Sequence, residues 1–351
     1  MKLKSLKSRI ILSVVNLLCI AGAVTFSIIS CSQINSLTSQ RGAEKWRNNK
    51  SDMDYSQVSC FFSRDSGADT NTVNAVRSKI KSAMTGASLK EEDNKRLWID
   101  TYTSSIGKME VSGTKRGSAR TEITAVTSDF FLIHDFKFTD GSYFRDDELS
   151  ENGIVIDRTL AWQIFGSDEV KGMNAEINGF DFYVAGVVEA PECSAEKKTY
   201  GKLPRAYISY SSAESLLKTD EKMPVESYEA VVPNPVENFA YNTISEFVED
   251  EYENTSVTVE NSSRFKLLNN FRRLKHLSNS VIITNSVQYT WWENSARVTE
   301  VKASLNLLAV IVFLIVPFLT LAMLFIKVIK YINSLHPFKK LAGKIKEKIP
   351  Y

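Results

Sequence analysis

Residues 303–326 read ASLNLLAVIVFLIVPFLTLAMLFI and contain no charged side chain. A helix needs about 20 mostly apolar residues to cross a hydrocarbon core about 30 Å thick. Inside lipid the backbone must satisfy its own hydrogen bonds, so the run reads as a membrane-spanning helix, placed at 304–326. Upstream, the stretch from Ile10 to Gln40 is likewise free of charge. Its apolar part, 10–31, reads as a first span.

The flanks of the two runs predict the orientation. Lys2, Lys4, Lys7 and Arg9 precede the first; Lys327, Lys330, Lys339, Lys340, Lys344, Lys346 and Lys348 follow the second, opposed only by Glu347. Basic residues beside spans stay cytoplasmic, so residues 1–9 and 327–351 are expected on the cytoplasmic side of the membrane, with about 32–302 on the other side. The alternative for the first run is a cleavable signal, with Ile28-Ile29-Ser30-Cys31 looking like a lipoprotein processing site. The run is longer than the roughly 7–15 residues of a signal core. The formal net charge of +2 over 351 residues gives no reason to expect a nucleic-acid partner.

Between the spans the pattern is that of an α+β domain over 55–260. Tyr55–Phe62 has the bulk and branching of a strand, and Val73, Val76, Ile80 and Met84 recur at helical spacing. Tyr228–Val232 and Ser256–Glu260 read as strands around a helix begun by Asn234-Pro235, with Asn as N-cap. These two strand–helix–strand units predict a ferredoxin-like α/β lobe built from both ends of the domain, with a mainly β lobe inserted at about 127–225. Within the insert, Asn178-Gly179 between alternating runs is a strong hairpin signal. Residues 32–54 and 261–303 are expected to be helical stalk extensions. No Gly or Pro occurs between Pro235 and Pro317, and Val287, Trp291, Asn294, Val298, Val301, Leu305 and Leu308 form a seam with a period near 3.5. In the tail, Leu335, Phe338, Ala342, Ile345 and Ile349 share one helical face beside many lysines, the pattern of a helix lying on an anionic leaflet.

Several short motifs follow one another in order from about Thr124 to Pro191: Ser128-Asp129-Phe130-Phe131, Gly141-Ser142-Tyr143-Phe144, Gly153-Ile154-Val155-Ile156-Asp157, Ala161-Trp162-Gln163-Ile164-Phe165-Gly166, Lys171-Gly172, Asn178-Gly179 and Tyr183-Val184-Ala185-Gly186-Val187-Val188. In this order and spacing they resemble the extracytoplasmic core domain of the MacB/FtsX-like family of ABC transporter permeases, with Gly-Ser where that family commonly has Gly-Arg. The resemblance implies a structural role for Phe130, Phe131, Gly141, Phe144, Ala161, Phe165, Gly166, Gly172, Asn178, Gly179 and Gly186, with Trp162 and Phe165 filling a core. It also implies a separate ABC ATPase and a permease or homo-oligomer partner, besides the lipid bilayer. The family's second span leads to a coupling segment and two further spans; here the sequence stops about 25 residues beyond the second span, without that segment.

No catalytic, metal or cofactor site is expected. His134, His276 and His336 are far apart in the sequence, and the Cys-x-x-Cys, His-Glu-x-x-His, Gly-x-Ser-x-Gly and phosphate-loop motifs are all missing. Asp146-Asp147-Glu148 and Glu249-Asp250-Glu251 lack the oxygen spacing of a calcium loop. Cys19 and Cys31 belong to the first span and its edge; Cys60 and Cys193 fit either one disulfide or two free thiols. The leading expectation is thus a non-enzymatic permease-like subunit that transmits the motion of a separate ATPase. The alternatives are a membrane-anchored binding or regulatory protein that reuses the domain, and a truncated permease.

Overall fold

Strand β1 (Tyr55–Phe62) lies between β9 (Ser227–Pro233) and β10 (Ser256–Glu260), antiparallel to both. It can do so because its side chains are apolar or hydrogen-bonded on both faces. The structure is a computed structural model that describes residues 6–47, 53–89, 96–114, 117–145, 152–217, 222–275 and 286–335. The predicted tail helix beyond 335, Asp146-Asp147-Glu148, His276 and His336 lie outside the described residues. The chain divides into two compact units, Gln33–Val301 (the head) and, together, Met1–Ser32 with Lys302–Tyr351.

In the head, β9 also pairs β2 (Ile99–Gly113), giving the order β10-β1-β9-β2. Helices α3 (Thr70–Gly86) and α8 (Phe239–Glu251) pack with this quartet. A capping box starts α3: the Asp69 carboxylate accepts from the Asn71 and Thr72 amides, and Thr72 Oγ1 accepts from the Asp69 amide. Val73, Val76, Ile80 and Met84 are buried, as their spacing predicts. Helix α8 departs from expectation. It starts at Phe239 behind Asn238, which holds a left-handed conformation, and Asn234 instead accepts a hydrogen bond from the Ala240 amide across the intervening turn.

The same sheet continues through β3 (Gly117–Val126), β8 (Arg205–Ser209), β5 (Gly153–Asp157), β7 (Phe180–Val188) and β4 (Phe138–Gly141). A short β6 (Asn174–Ile177) pairs with both β2 and β7. Strands β2, β3, β8, β5, β7 and β6 therefore pair in a closed cycle. The Asn178-Gly179 turn that joins β6 to β7 has φ of 50° and 81°, the positive pair that a type I′ hairpin needs.

Alternation along these strands separates two apolar clusters. Ile154, Ile156, Ala206 and Ile208 face the larger one, which also holds the inner faces of α3 and α8. Val155 and Tyr207 face the other, an aromatic cluster. Helix α5 (Arg158–Ile164), capped by Asp157, buries Leu160, Ala161 and Ile164. Trp162 therefore points away and is 49% exposed, against the expectation that it fills a core; Phe165 does so.

The other unit takes most of two helices, Lys7–Asn35 and Trp291–Ile332, that are long and apolar enough to cross a membrane; Gln33–Asn35 and Trp291–Val301 of them belong to the head. These are α1 (Leu6–Asn35) and, after the short helices α2 (Gly42–Arg47), α4 (Phe130–His134), α6 (Ser194–Tyr200), α7 (Tyr210–Leu217) and α9 (Leu267–Lys275), the helix α10 (Trp291–Leu335). Within this unit Gly22 lies against the Phe313 ring, Phe26 stacks on Phe313 at 5.8 Å, and Asn16 Nδ2 donates to Thr320 Oγ1 at 3.2 Å. Small residues and single polar bonds of this kind let apolar helices approach closely in lipid.

Candidate functional site: the seat of the long C-terminal helix

Trp291, Trp292 and Glu293 open α10, and each is held by a different part of the head. Trp291 meets Tyr200 edge-on, with ring centroids 5.0 Å apart. Trp292 packs on Phe130 at 5.3 Å. Its indole Nε1 donates to Glu229 Oε1 on β9 at 2.6 Å. Glu293 accepts both terminal nitrogens of Arg264 at 2.7 Å, the paired geometry that suits guanidinium and carboxylate.

The Arg264–Glu293 pair is embedded in a larger network. The side chains of Arg264 and Glu293 are 3% and 1% exposed. Arg264 Nε donates to Glu300 Oε1 at 2.7 Å, and Arg264 Nη1 to Asn261 Oδ1 at 3.0 Å. Arg273 reaches the same Glu300 oxygen at 2.6 Å, and Arg297 reaches Glu293 at 2.8 Å. Burial alone would lower the Arg264 pKa; the charges and hydrogen bonds of Glu293 and Glu300 outweigh it and hold the guanidinium charged. Glu293 and Glu300 are seven residues apart, two turns on one face of α10.

Glu229 is the second anchor. Burial would raise its pKa, but the nearby His134, with hydrogen bonds from Trp292 and Ser59, brings it below the ordinary carboxylate value. Ser59 Oγ donates at 3.0 Å, and His134 Nε2 lies 3.4 Å away. The segment after α1 joins the same seat: Gln40 Nε2 donates to the Trp292 carbonyl at 3.0 Å. Gln57 on β1 donates to the Ser39 carbonyl and accepts from the Gly42 amide.

These contacts correct the expected stalks. Helix α1 ends at Asn35, and Leu37, Ser39 and Gln40 are buried in the head, so 32–54 is not a continuous helix. Nor does one helix cover 261–303: residues 286–290 precede α10 in non-helical conformation. There Tyr289 meets Phe61 edge-on at 5.6 Å, and the Arg297 guanidinium lies 3.7 Å from the Tyr289 ring centroid. Of the seam residues, Val287 sits before the helix and is buried, Trp291 is buried in the aromatic cluster, and Val298 and Val301 are half-buried on α10.

The motif residues divide by cluster. Phe130, Phe131 and Phe144 build the aromatic cluster that takes Trp291 and Trp292. Ala161 and Phe165 join the other cluster. Gly141 and Gly186 face each other across β4 and β7, where a methyl on either would strike the opposite backbone. Gly166 and Gly172 hold positive φ in turns. Cys60, buried in β1, and Cys193 are free thiols; burial pushes the Cys60 thiol up to about 12.

A cleft of about 420 Å³ adjoins the seat, lined among others by Thr38, His134, Cys193, Glu196 and Trp291. Glu196 is buried there with Oε1 lacking a hydrogen-bond partner. Burial pushes its carboxyl up to about 7, against the pull of Lys45.

The class defined by this arrangement is a membrane-attached protein whose α+β head lies in sequence between two apolar helices, the second of them gripped at its start by buried charge and aromatic rings. Residues 13–272 match the MacB-like periplasmic core domain, and the chain belongs to that family. Three solved structures are similar. The periplasmic region of MacB from Actinobacillus actinomycetemcomitans is 13% identical, with 60% of this chain and 92% of that one covered and a TM-score of 0.43. The extracellular domain of the noncanonic ABC-type transporter YknZ from Gram-positive bacteria is 13% identical, with 58% and 99% covered and a TM-score of 0.39. A domain of a putative permease protein from Porphyromonas gingivalis is 14% identical, with 59% and 88% covered and a TM-score of 0.37. No curated protein matches the chain.

Proposed function

We propose that the protein is a permease-type subunit of an ABC transporter assembly and passes motion between a separate ATPase and its head through α10. The observation that carries this reading is the grip on Trp291, Trp292, Glu293 and Glu300 at the start of a helix that continues unbroken to Leu335. A helix held by buried, fully paired charges cannot swivel at its base without leaving one charge unpaired, which costs several kcal/mol. It is therefore suited to transmitting displacement rather than absorbing it. On this reading both termini are cytoplasmic and the head is outside. The quartet β10-β1-β9-β2 with α3 and α8 is a ferredoxin-like lobe, and the closed strand cycle is the inserted lobe. The chain itself performs no covalent chemistry; a separate subunit hydrolyses the nucleotide.

Affinity purification of the full-length protein from native membranes in mild detergent tests the partnership. An ATPase subunit should be recovered, alone or with a multi-span permease. Recovery of neither, with crosslinking in intact membranes equally empty, contradicts the proposal.

A further inference from the structure

Helix α9 carries a pattern that the grip on α10 does not use. Between Glu260 and Glu293 the sequence contains Arg264, Lys266, Arg272, Arg273 and Lys275 but no Asp or Glu. On α9 itself, Leu267, Leu268 and Phe271 are 69%, 72% and 48% exposed. At 100° per residue these three share one face, with Arg272 at its border and Lys275 on the same face one turn beyond Phe271; the buried Asn270 and the inward-turned Arg273 occupy the opposite side. Lys266 pairs with Glu237 at 3.7 Å, and Arg273 with Glu300. Arg272 and Lys275 make no ion pair among the described residues.

An exposed leucine pair and a phenylalanine ringed by cations have little reason to face water, and the chain carries its own candidate cover. Arg273 binds Glu300 at 2.6 Å. Glu300 lies three residues before Ala303, where the charge-free run begins. At a rise of 1.5 Å per residue, that is about 5 Å along α10. The apolar face of α9 is thus tethered, through one ion pair, close in the chain to the segment that enters hydrocarbon. A helix with apolar residues on one face and lysine or arginine beside them lies in the headgroup layer, about 5–10 Å deep, and gains from anionic lipid.

We propose that α9 is an interfacial helix, with Leu267, Leu268 and Phe271 inserted among the lipids of the leaflet nearest the head and with Arg272 and Lys275 on anionic headgroups. A bilayer is favoured over a protein partner because it is the one surface that the spans guarantee to every copy of the chain, and because its charge complements the cations.

The test uses the full-length protein with Leu268→Cys, Cys19, Cys31 and Cys193 replaced by serine, and buried Cys60 kept. It is labelled with an environment-sensitive fluorophore and reconstituted in vesicles of phosphatidylcholine and phosphatidylglycerol. Gln163→Cys on α5 is the exposed control. At position 268 we expect blue-shifted emission, quenching by a lipid with a shallow spin label, and iodide quenching reduced several-fold relative to the control. Adding Arg272→Gln and Lys275→Gln should lower the lipid quenching. Iodide access equal to the control overturns the proposal. Shielding from both iodide and lipid quencher also overturns it, since a second copy or another protein would then cover the face. If the serine background fails to fold, photoreactive phosphatidylglycerol with the native chain gives an independent readout: adducts on 267–275 support the proposal, and their absence when the spans are labelled refutes it.

Discussion

Arg264 is the residue whose loss should be felt most, because it satisfies two buried or nearly buried carboxylates of α10 at once. Arg264→Met leaves Glu293 buried without its partner and should destabilise the head by about 3–5 kcal/mol in denaturant unfolding. Changing Glu293 to Leu in the same chain should restore much of that loss, because apolar pairs often replace buried ion pairs at little cost. Glu196 gives a prediction with the opposite chemistry. Its carboxyl is raised from 4.5 to about 7 by burial, so between those values the folded protein keeps a proton that the unfolded chain has released. Stability contributed by this group is full at low pH and declines as pH rises through that window, by about 3 kcal/mol in total. Glu196→Gln should remove this share of the pH dependence and raise the melting temperature above pH 7; an unchanged pH profile would show that the carboxyl titrates normally. Neither residue was singled out by sequence. Arg264 lies in a segment whose partners are remote in the chain, although the seven-residue spacing of Glu293 and Glu300 was a readable sign of two acids on one helical face.

At the scale of elements, those whose pattern is local and periodic were legible. β1, β5, β10, the Asn178-Gly179 hairpin and the buried face of α3 follow the spacing of their residues. The elements that sequence misplaced are those decided by tertiary contact. The helix-permissive composition of 261–303 gave no sign of a break, but 286–290 are non-helical and Tyr289 there packs on Phe61 and Arg297. Trp162 was expected in a core as part of the family motif, whereas Asp157 as N-cap sets a register that turns it outward. The glycines yield a ranking. A methyl at Gly141 would collide with the Ala185 carbonyl and also requires a left-handed residue with φ of 67°. At Gly179 the space is open and only the backbone conformation, φ 81°, is unfavourable. Gly179→Ala should therefore cost about 1 kcal/mol, and Gly141→Ala distinctly more, with 1–3 kcal/mol of overpacking (roughly) added. Equal melting temperatures for the two variants would mean that β4 and β7 are not held together as described.

For the whole molecule, the order of motifs from Thr124 to Pro191 was sufficient to suggest the family, and the match over residues 13–272 establishes it. What could not be read was why the family's aromatic motif matters here. Phe130 and Phe131 form the cluster in which the first residues of α10 are seated, a relation between segments more than 150 residues apart. The account rests on that seat being rigid. Hydrogen–deuterium exchange on the full-length protein in lipid measures it directly, because amides open only as often as the structure around them does. Residues 294–301 should exchange as slowly as β9, and Arg264→Met should speed them by about a hundredfold or more. If the unaltered protein instead exchanged at 294–301 as fast as at 286–290, the helix would hinge at its base and could not transmit displacement from the membrane to the head.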